Sequence, residues 1–505
     1  MKSENNSQKM QMDLEIQIEL YKHQLELVQK ETEASQKEID YMRNMIYEMQ
    51  IEQEQIHRSF SWKITLPFRI CGSIYQIFKN PRALILRIRR TKYLSAARYL
   101  IPKKIRARMV KKYFEAYNST EFSSNSVQEN QVLKLLKDFE QELHQQDRLI
   151  LVFSGVKYVD HEGQRNIRLI HEAREMGIKI IFAYWRWNSA EEIEESEEAL
   201  IKIPIDILNT KKIFIFENYF RTVKNKCFLI EFPHPCAVQM IEIANSFGWK
   251  SIYDAIDDWK EFSQCGQAEW YEQKVEKRIA NIVDVNIATA NVLKEKIEKD
   301  IVVKKPYYLI SNGVDTQRIR KSKKISSYDF TKGNLQIGYF GHLTDAWFDW
   351  QMLIRLARKH SDWTFHIIGY GAPQKLKVPE NIILYGKKRP EELSKYAAFW
   401  DVSIIPFRNN ELTRGVNPIK VFEYLQLRMP VVASYMPEIE NYPYVTITRN
   451  EEEFEQAVLS SRNVKLDEQC VQQFINKNTW KQKCLELIEC IDSVKKISPF
   501  KYFEL

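Results

Sequence analysis

The sequence predicts an α/β protein with two doubly wound parallel sheets, preceded by an amino-terminal coiled coil and a basic amphipathic helical segment. Short apolar segments alternate with helix-length polar segments from about residue 148, and a second series of such segments starts at residue 335. A heptad pattern occupies residues 11–57. Strands that alternate with helices are typical of parallel sheets covered on both faces, and 505 residues provide room for two or three domains.

The predicted strands form two series, and one further helix follows them. The first series is RLILVF, IKIIFAYW, KIFIF, CFLIEF, SIYDA, VDVNIATA and PYYLIS. The second series is LQIGYFG, WTFHIIG, NIILYG, WDVSIIP, PVVAS and YVTITRN, and WKQKCLELIECIDSV predicts the final helix. The sequence therefore predicts a linker with a helix, two Rossmann-like domains and a terminal helix, at residues 117–147, 148–316, 317–478 and 479–505, respectively.

The amino-terminal segment, residues 1–58, has the pattern of a coiled coil. Ten of its thirteen a and d positions between Leu14 and Ile56 are apolar, and no Gly or Pro interrupts them. Such a pattern predicts association of helices, and hence a homo-oligomer. A single amphipathic helix packed on the body of the protein is the alternative interpretation.

The next segment, residues 59–116, is strongly basic. Residues 61–114 contain fifteen Lys and Arg and no Asp or Glu, so the remainder of a chain whose net charge is +8 carries −7. Basic and apolar residues are mixed with aromatic ones, which predicts peripheral binding to an anionic membrane surface. A packed structural element is the alternative. Nucleic acid is disfavoured as a partner because its binding has little use for so many Leu and Ile and no nucleic-acid motif occurs.

Cysteine usage and the lack of apolar spans bear on location. Seven cysteines are scattered without a C-x-x-C pair, which favours free thiols in a reducing compartment. The amino terminus has no apolar signal segment, and no run is long enough to span a membrane. We therefore expect a cytoplasmic protein, peripheral on the inner face of the cell membrane.

The segment NPIKVFEYLQLRMPVVAS (417–434) carries the strongest candidate site. Asn417 as N-cap and Pro418 as first helical residue would place Lys420 in the first turn, where the helix dipole repels a cation. A lysine beside the free N–H groups of that turn favours a bound anion, and Glu423 can accept hydrogen bonds from a vicinal diol such as ribose. A weak salt bridge between Lys420 and Glu423 is the alternative.

Two loops predicted at the same edge of the second sheet complete this site. The first strand of that sheet ends in Gly341 and His342, where glycine lets the backbone approach a phosphate closely. A polar loop that includes Arg414 precedes the helix of Lys420. A diphosphate held between these loops, with ribose on Glu423, describes a sugar nucleotide. The predicted donor-binding residues are Gly341, His342, Arg414, Asn417, Lys420 and Glu423.

These motifs resemble the donor-binding domain of GT-B glycosyltransferases of the group 1 kind, especially bacterial surface-polysaccharide enzymes. The resemblance lies in Pro418, Lys420, Glu423-Tyr424-Leu425 and the strand that starts PVVA at Pro430. In the first half, SIYDAIDDWKEF, VDVNIATANVLKE and LISNGVD are similar to the acceptor domain of that family, so the resemblance covers about residues 148–490. SWKITLPFR is similar to a segment that precedes such domains.

The resemblance implies the roles of several residues. Lys420 would contact the diphosphate and Glu423 the ribose of a nucleoside-diphosphate sugar, and neither a metal nor another cofactor is expected. Many group 1 members have a second glutamate eight residues before the ribose glutamate, and Gly415 occupies that position here. The resemblance therefore predicts the nucleotide site but neither the sugar contacts nor the stereochemistry of transfer.

Candidate acceptor-side residues follow strands of the first domain. Asp254, Asp257 and Asp258 cluster at the end of the strand SIYDA, and a carboxylate there can act as base for an inverting displacement or position the acceptor in a retaining one. We favour Asp258 over Asp257 as the catalytic residue, and a helix cap with solvated acids is the alternative. Candidate acceptor-binding residues, with a structural role as the alternative, are Gln164, Arg165 and His234.

Together these features predict transfer of a sugar from a nucleoside-diphosphate sugar to a lipid-linked glycan at the cytoplasmic membrane face, in cell-surface polysaccharide synthesis. Two alternative functions belong to other classes of protein. A sugar-nucleotide epimerase shares the two-domain fold but needs no acceptor. A non-catalytic coiled-coil scaffold with a degenerate transferase body would bind no nucleotide.

Overall fold

The computed structural model describes residues 126–159, 164–186, 188–266, 268, 270–301, 305–319 and 333–494. The predicted coiled coil at residues 1–58 and the basic segment at residues 59–116 lie outside this part of the chain, so both stay predictions.

The first domain is built on a seven-stranded parallel sheet with the strand order β3-β2-β1-β4-β5-β6-β7. Its strands are β1 (Arg148–Ser154), β2 (Lys179–Tyr184), β3 (Leu200–Pro204), β4 (Asn225–Ile230), β5 (Lys250–Ala255), β6 (Val285–Ala288) and β7 (Tyr307–Leu309). The helices described up to β7 are α1 (Ser126–Gln141), α2 (Arg165–Glu175), α3 (Ile205–Asn218), α4 (Pro235–Ser246), α5 (Trp259–Gln264), α6 (Gln273–Ile282) and α7 (Asn291–Glu298).

The second domain is built on a six-stranded parallel sheet with the order β10-β9-β8-β11-β12-β13. Its strands are β8 (Leu335–His342), β9 (Trp363–Tyr370), β10 (Ile382–Leu384), β11 (Val402–Ile405), β12 (Val431–Ser434) and β13 (Val445–Thr448). The helices described from here on are α8 (Trp350–Lys359), α9 (Pro390–Ala397), α10 (Glu411–Arg414), α11 (Ile419–Gln426), α12 (Glu451–Ser461), α13 (Glu468–Lys477) and α14 (Trp480–Ser493), with a 3₁₀ turn at Pro437–Ile439. The predicted α/β class with two parallel sheets is confirmed.

Burial on both faces explains why the strands are almost continuously apolar. Along β1, Leu149, Leu151 and Phe153 pack into one buried cluster, whereas Ile150 and Val152 pack into another. Successive side chains of a strand point to opposite faces, so each face needs its own apolar cover.

The helix α14 belongs to the core of the first domain although it follows the second domain in sequence. Trp480, Cys484, Leu487 and Ile491 lie in the same buried cluster as Ile150. The two chain segments that connect the domains run side by side, because Val314 N–H donates to the Asn478 carbonyl (2.9 Å) and Trp480 N–H donates to the Val314 carbonyl (3.2 Å).

One predicted strand is wrong and one strand was missed. KIFIF (212–216) lies within helix α3, where Ile215 and Phe216 are buried but Ile213 and Phe214 are 60% and 47% exposed. The third strand of the sheet is instead LIKIP, β3. A short apolar run fits a strand and a buried helix turn equally well, so its period cannot distinguish them.

Within the described residues, no helix combines the length and the apolar character that crossing a membrane requires.

Candidate active site

The helix that carries Lys420 starts one residue later than predicted. Helix α11 begins at Ile419, preceded by Pro418 as N-cap, and no side chain caps its first turn. Lys420 is therefore the second helical residue, still within the turn whose N–H groups lack helical partners.

Asn417 does not cap the helix but links the two domains. Its Oδ1 accepts from the Asn312 N–H (3.0 Å), its carbonyl accepts from Asn312 Nδ2 (2.6 Å), and its Nδ2 donates to the Tyr442 hydroxyl (2.9 Å). The predicted N-cap role of Asn417 is thus wrong, and this buried side chain positions the start of α11 against the first domain.

The Lys420 ammonium lies against aromatic rings. Its Nζ is 5.6 Å from the centroid of Tyr339 and 5.2 Å from that of Phe407. Neither Lys420 nor Glu423 belongs to any ion pair of the described chain, so the salt bridge considered as an alternative is not formed. Burial lowers the pKa of Lys420 to about 8, an effect that the negative charge of Glu423 opposes. The site thus holds a poorly solvated cation that forms no ion pair with a carboxylate of the described chain, which favours an anionic ligand.

Gly341 and His342 lie beside this ammonium, as predicted. Gly341 has φ +150°, and a Cβ atom there would lie 2.8 Å from the Tyr339 hydroxyl and 2.9 Å from Lys420 Cε. Glycine is therefore needed to make room for the lysine. The pKa of His342 is lowered by burial and by the charge of Lys420.

Glu423 lies one turn further along α11. Burial raises its pKa to about 7, Lys420 and Arg318 act to lower it, and Asp315 acts to raise it. Its carboxyl group is thus held near the midpoint of its titration at neutral pH, where it can accept or donate hydrogen bonds.

Arg414 is not drawn into this group. Its guanidinium pairs with Glu411 (2.9 Å) and lies 5.9 Å from the Tyr435 ring centroid, and the residue is exposed at the end of α10.

On the acceptor side, the structure reverses our preference between the two aspartates. Asp258 caps helix α5 by accepting from the Glu261 N–H (3.2 Å), and it pairs with Lys296. Asp257 has no such structural role: it is half-buried, and burial together with the charge of Asp258 raises its pKa to about 7. A carboxylate with that pKa suits a general base near neutral pH, so Asp257 is the better candidate.

Two of the three predicted acceptor-binding residues have structural roles. Arg165 is buried and donates from Nε and Nη2 to Asp254 (2.9 and 3.3 Å) and from Nη1 to the Ser311 carbonyl (3.0 Å). His234 caps α4 by accepting from the Cys236 N–H (3.4 Å), and burial lowers its pKa to about 3. Gln164, at the start of α2, is exposed and caps nothing with its side chain.

The two domains meet next to these groups. A Cβ atom on Gly415 would lie 3.2 Å from Leu293 Cδ2 and 3.8 Å from the Cβ of Asp258, so the absence of a side chain permits this close approach. The rings of Phe262 and Trp347 also face each other across the junction, 6.0 Å apart. The candidate base and the helix of Lys420 therefore border the same interdomain junction.

Tyr424 is a positioning residue for which the sequence predicted no role of its own. Its hydroxyl accepts from the Phe340 N–H (3.0 Å), which fixes α11 to the end of β8 just before Gly341. The only signal in the sequence was its place in the EYL motif.

Among the described residues, no group of three or more His, Cys, Asp or Glu side chains could hold a metal ion.

The second domain matches a known protein family, and the chain is similar to a bacterial protein. Residues 335–461 match the profile of the family described as glycosyl transferases group 1. A Bacillus subtilis (strain 168) protein, provisionally named teichuronic acid biosynthesis glycosyltransferase TuaH, is 24% identical over 222 residues. The match covers 40% of this chain and 55% of that protein, so the chain spans about half the length of this relative.

Two solved structures share the fold. Sucrose-phosphate synthase from Thermosynechococcus elongatus superposes with a TM-score of 0.52 at 13% identity, over 69% of this chain and 98% of its own. A glycosyltransferase from Rickettsia africae superposes with a TM-score of 0.50 at 13% identity, over 70% and 99% of the two chains. Residues 335–461 thus match the group 1 glycosyl transferase family, and the chain shares its two-domain α/β fold with these two solved structures.

Proposed function

We propose that this protein transfers a sugar from a nucleoside-diphosphate sugar to a lipid-linked glycan, at the cytoplasmic face of the membrane, in cell-surface polysaccharide synthesis. The observation that carries the proposal is the Lys420 ammonium, which lies without a paired carboxylate at the uncapped start of α11 and against Gly341. A diphosphate supplies the negative charge that this arrangement lacks. Teichuronic acid synthesis, named for the Bacillus relative, supports the choice of a surface polysaccharide.

In the proposed donor complex, the diphosphate lies at the first turn of α11, with Lys420 beside it. Glu423 accepts hydrogen bonds from the ribose hydroxyl groups, because it lies one turn further along the same helix. As the bond between the sugar and the phosphate breaks, Lys420 stabilises the charge that develops on the departing diphosphate. The proposal includes no metal ion.

The proposed base is Asp257. With a pKa of about 7, its carboxylate form accepts the proton of the acceptor hydroxyl while the oxygen of that hydroxyl bonds to the anomeric carbon. This step describes an inverting displacement. In a retaining reaction Asp257 would only position the acceptor, and NMR of the product's anomeric configuration distinguishes the two.

Thermal-shift measurements with UDP-, GDP- and dTDP-sugars test the donor site. We expect at least one series to stabilise the wild type and to lose most of its effect in Lys420→Ala and Glu423→Ala. Lys387→Ala is a matched control, since Lys387 also lies over an aromatic ring, 5.1 Å from the centroid of Tyr370, but is exposed. Equal nucleotide stabilisation of the wild type and both site variants would show that Lys420 and Glu423 do not bind the donor. No stabilisation by any nucleotide would favour the non-catalytic scaffold.

The proposed location and assembly rest on the amino-terminal sequence. Fifteen basic residues without an acid in 61–114 support binding to anionic lipid, and the heptads of 1–58 support a homo-oligomer. Co-sedimentation with vesicles of phosphatidylglycerol and phosphatidylcholine, compared with phosphatidylcholine alone, tests the first. Light scattering of the full chain and of a chain lacking residues 1–58 tests the second.

A further inference from the structure

Residues 312–319, which we call the connecting segment, lead from the first domain into the second. The first residue of the segment donates to Asn417, just before α11, from its backbone N–H (3.0 Å) and from its Nδ2 (2.6 Å). Its last residue, Ile319, is buried in the same core cluster as Phe422 of α11. The connecting segment is thus fixed to the second domain at both ends, and at one of them to the start of α11.

Charged side chains of the connecting segment link α2 of the first domain to α9 of the second. Asp315 accepts from Arg168 Nη1 of α2 (3.3 Å), and its Oδ1 accepts from the backbone N–H of Arg318 (3.0 Å). Arg318 in turn donates from Nε to Glu391, in the first turn of α9 (3.0 Å). Arg168 is buried, whereas Asp315 and Arg318 are half-buried. These bonds hold the Arg318 guanidinium in place and leave part of it accessible.

The Glu423 carboxyl group lies within the electrostatic reach of this guanidinium. Burial is the largest cause of the raised pKa of Glu423, the charge of Arg318 acts against it, and the charge of Asp315 adds to it. Among the described residues, the ion pair of Arg318 is with Glu391 and not with Glu423. The guanidinium and the carboxyl group are therefore close without touching. Since Glu423 is only half-buried, a ligand can reach the space beside it.

A carboxylate and a guanidinium in this arrangement are complementary to a hydroxyl group. An ionised carboxylate only accepts hydrogen bonds and a guanidinium only donates them, whereas a hydroxyl does both. A hydroxyl between the two groups can thus donate to Glu423 and accept from Arg318. The five N–H donors of an arginine let it bind Glu391 and a ligand at the same time.

We propose that Arg318 is a further donor-binding residue, which donates a hydrogen bond to a ribose hydroxyl while that hydroxyl donates to Glu423. This inference rests on the proposed function, because the nucleoside-diphosphate donor places its ribose at Glu423. Arg168 and Asp315 act as positioning residues for Arg318. The ribose site therefore depends on α2 of the first domain as well as on α11.

Nucleotide affinities test this assignment, because removal of the ribose hydroxyls removes the contact. The probes are UDP, GDP and dTDP, each compared with its 2′,3′-dideoxy analogue, in calorimetric titrations of the full chain. We expect the wild type to prefer at least one parent nucleotide over its analogue by about tenfold or more. Arg318→Ala should lower that preference by about threefold or more, because it weakens binding of the parent nucleotide more than that of the analogue.

Three further variants separate a ribose contact from a general effect of charge. Arg318→Lys keeps a cationic donor and should retain part of the preference, and Glu423→Ala should remove most of it. Arg389→Ala is the matched control. Burial raises the pKa of Glu391 and the charges of both Arg318 and Arg389 lower it, but of the two only Arg318 acts on Glu423. Arg389→Ala should therefore leave the preference unchanged, and unfolding temperatures check that each variant is folded.

The outcomes distinguish this inference from the proposed function. A preference for the parent nucleotide that Arg318→Ala leaves unchanged would overturn the role of Arg318 and leave the donor site intact. An equal loss of affinity for parent and analogue in Arg318→Ala would also overturn it, since the loss would not depend on the hydroxyls. A wild type that binds a nucleotide without preferring its hydroxyls would contradict the ribose contacts of Glu423 and Arg318 together. Failure of all three nucleotides to bind would contradict the donor site itself.

Discussion

At the scale of single residues, the candidate site contains three groups whose pKa values burial moves towards neutrality. The pKa of Lys420 is lowered to about 8, and those of Glu423 and Asp257 are raised to about 7. Desolvation is the largest cause in each case, so each charged form is poorly solvated in the free protein. Groups of this kind concentrate where ligands and protons are exchanged.

Asp257 gives a prediction with a defined pH dependence. We expect Asp257→Asn to abolish sugar transfer and to leave nucleotide affinity unchanged. The folded-state pKa of about 7 exceeds the ordinary value of 3.8, so the unfolded chain loses its proton first and the wild type loses stability as pH rises between these values. Asparagine has no proton to lose, so the stability of the variant does not fall in this way. Its Tm should therefore exceed that of the wild type above pH 7 and approach it near pH 4.

Asp258→Asn is the matched control for that experiment. It removes the ion pair with Lys296 but keeps a side chain able to cap α5, so we expect a lower Tm. Scanning calorimetry over the pH series measures both variants. Transfer by Asp257→Asn at the wild-type rate would show that Asp257 is not the base.

At the scale of secondary-structure elements, helix α11 depends on a contact with β8. The Tyr424 hydroxyl accepts from the backbone of Phe340, and the two rings pack edge to face with centroids 4.6 Å apart. Lys420 and Gly341 thus come from two elements that a buried hydrogen bond holds together.

Tyr424→Phe tests that contact. The substitution keeps the ring but leaves the Phe340 N–H buried without its acceptor, which costs about 1–3 kcal/mol. We expect a lower Tm and weaker nucleotide binding, because the spacing between Lys420 and Gly341 is no longer fixed. Calorimetric unfolding and titration with the bound nucleotide measure the two effects. Tyr435→Phe keeps the ring that faces Arg414 and should change neither.

The elements also show what the sequence could and could not predict. Long apolar runs such as RLILVF and LQIGYFG are strands as expected, because two buried faces leave them no polar positions. KIFIF was misassigned because the residues that reveal its helical face, Ile207 and Leu208, lie more than one turn upstream.

At the site, Lys420, Gly341 and His342 were predictable because each lies in a local motif at the edge of one sheet. The partners of Asn417 and Arg165 were not. Asn417 bonds to Asn312, 105 residues away, and Arg165 bonds to Asp254, 89 residues away. Only the packing of the whole chain brings such distant partners together. From the sequence alone, both residues were therefore predicted to bind ligands.

At the scale of the whole molecule, Asn417 is the main hydrogen-bonding link between the second domain and the Asn312 segment of the first. Asn417→Ala removes the two hydrogen bonds that the buried Asn417 side chain makes, at about 0.5–1.5 kcal/mol each. The backbone carbonyl of residue 417 stays, so part of the link survives. We expect a larger radius of gyration by X-ray scattering and weaker nucleotide binding.

A graded variant provides the control for this link. Tyr442→Phe removes the bond to Asn417 Nδ2 and the contact of the Tyr442 hydroxyl with Ser311, but it keeps both bonds between Asn417 and Asn312, so its effects should be smaller than those of Asn417→Ala. An unchanged radius of gyration and unchanged nucleotide affinity in Asn417→Ala would show that the Val314 and Asn478 segments alone fix the domain arrangement.

The return of α14 to the first domain has a consequence for biosynthesis and for dissection of the protein. In chain order, the second domain is an insertion within the first, since Trp480, Cys484 and Leu487 complete a core that begins at β1. A ribosome therefore releases the whole second domain before the first can close its core. Cutting once between the domains would yield a first half without its last helix, whereas residues 126–314 joined to 479–494 would restore it.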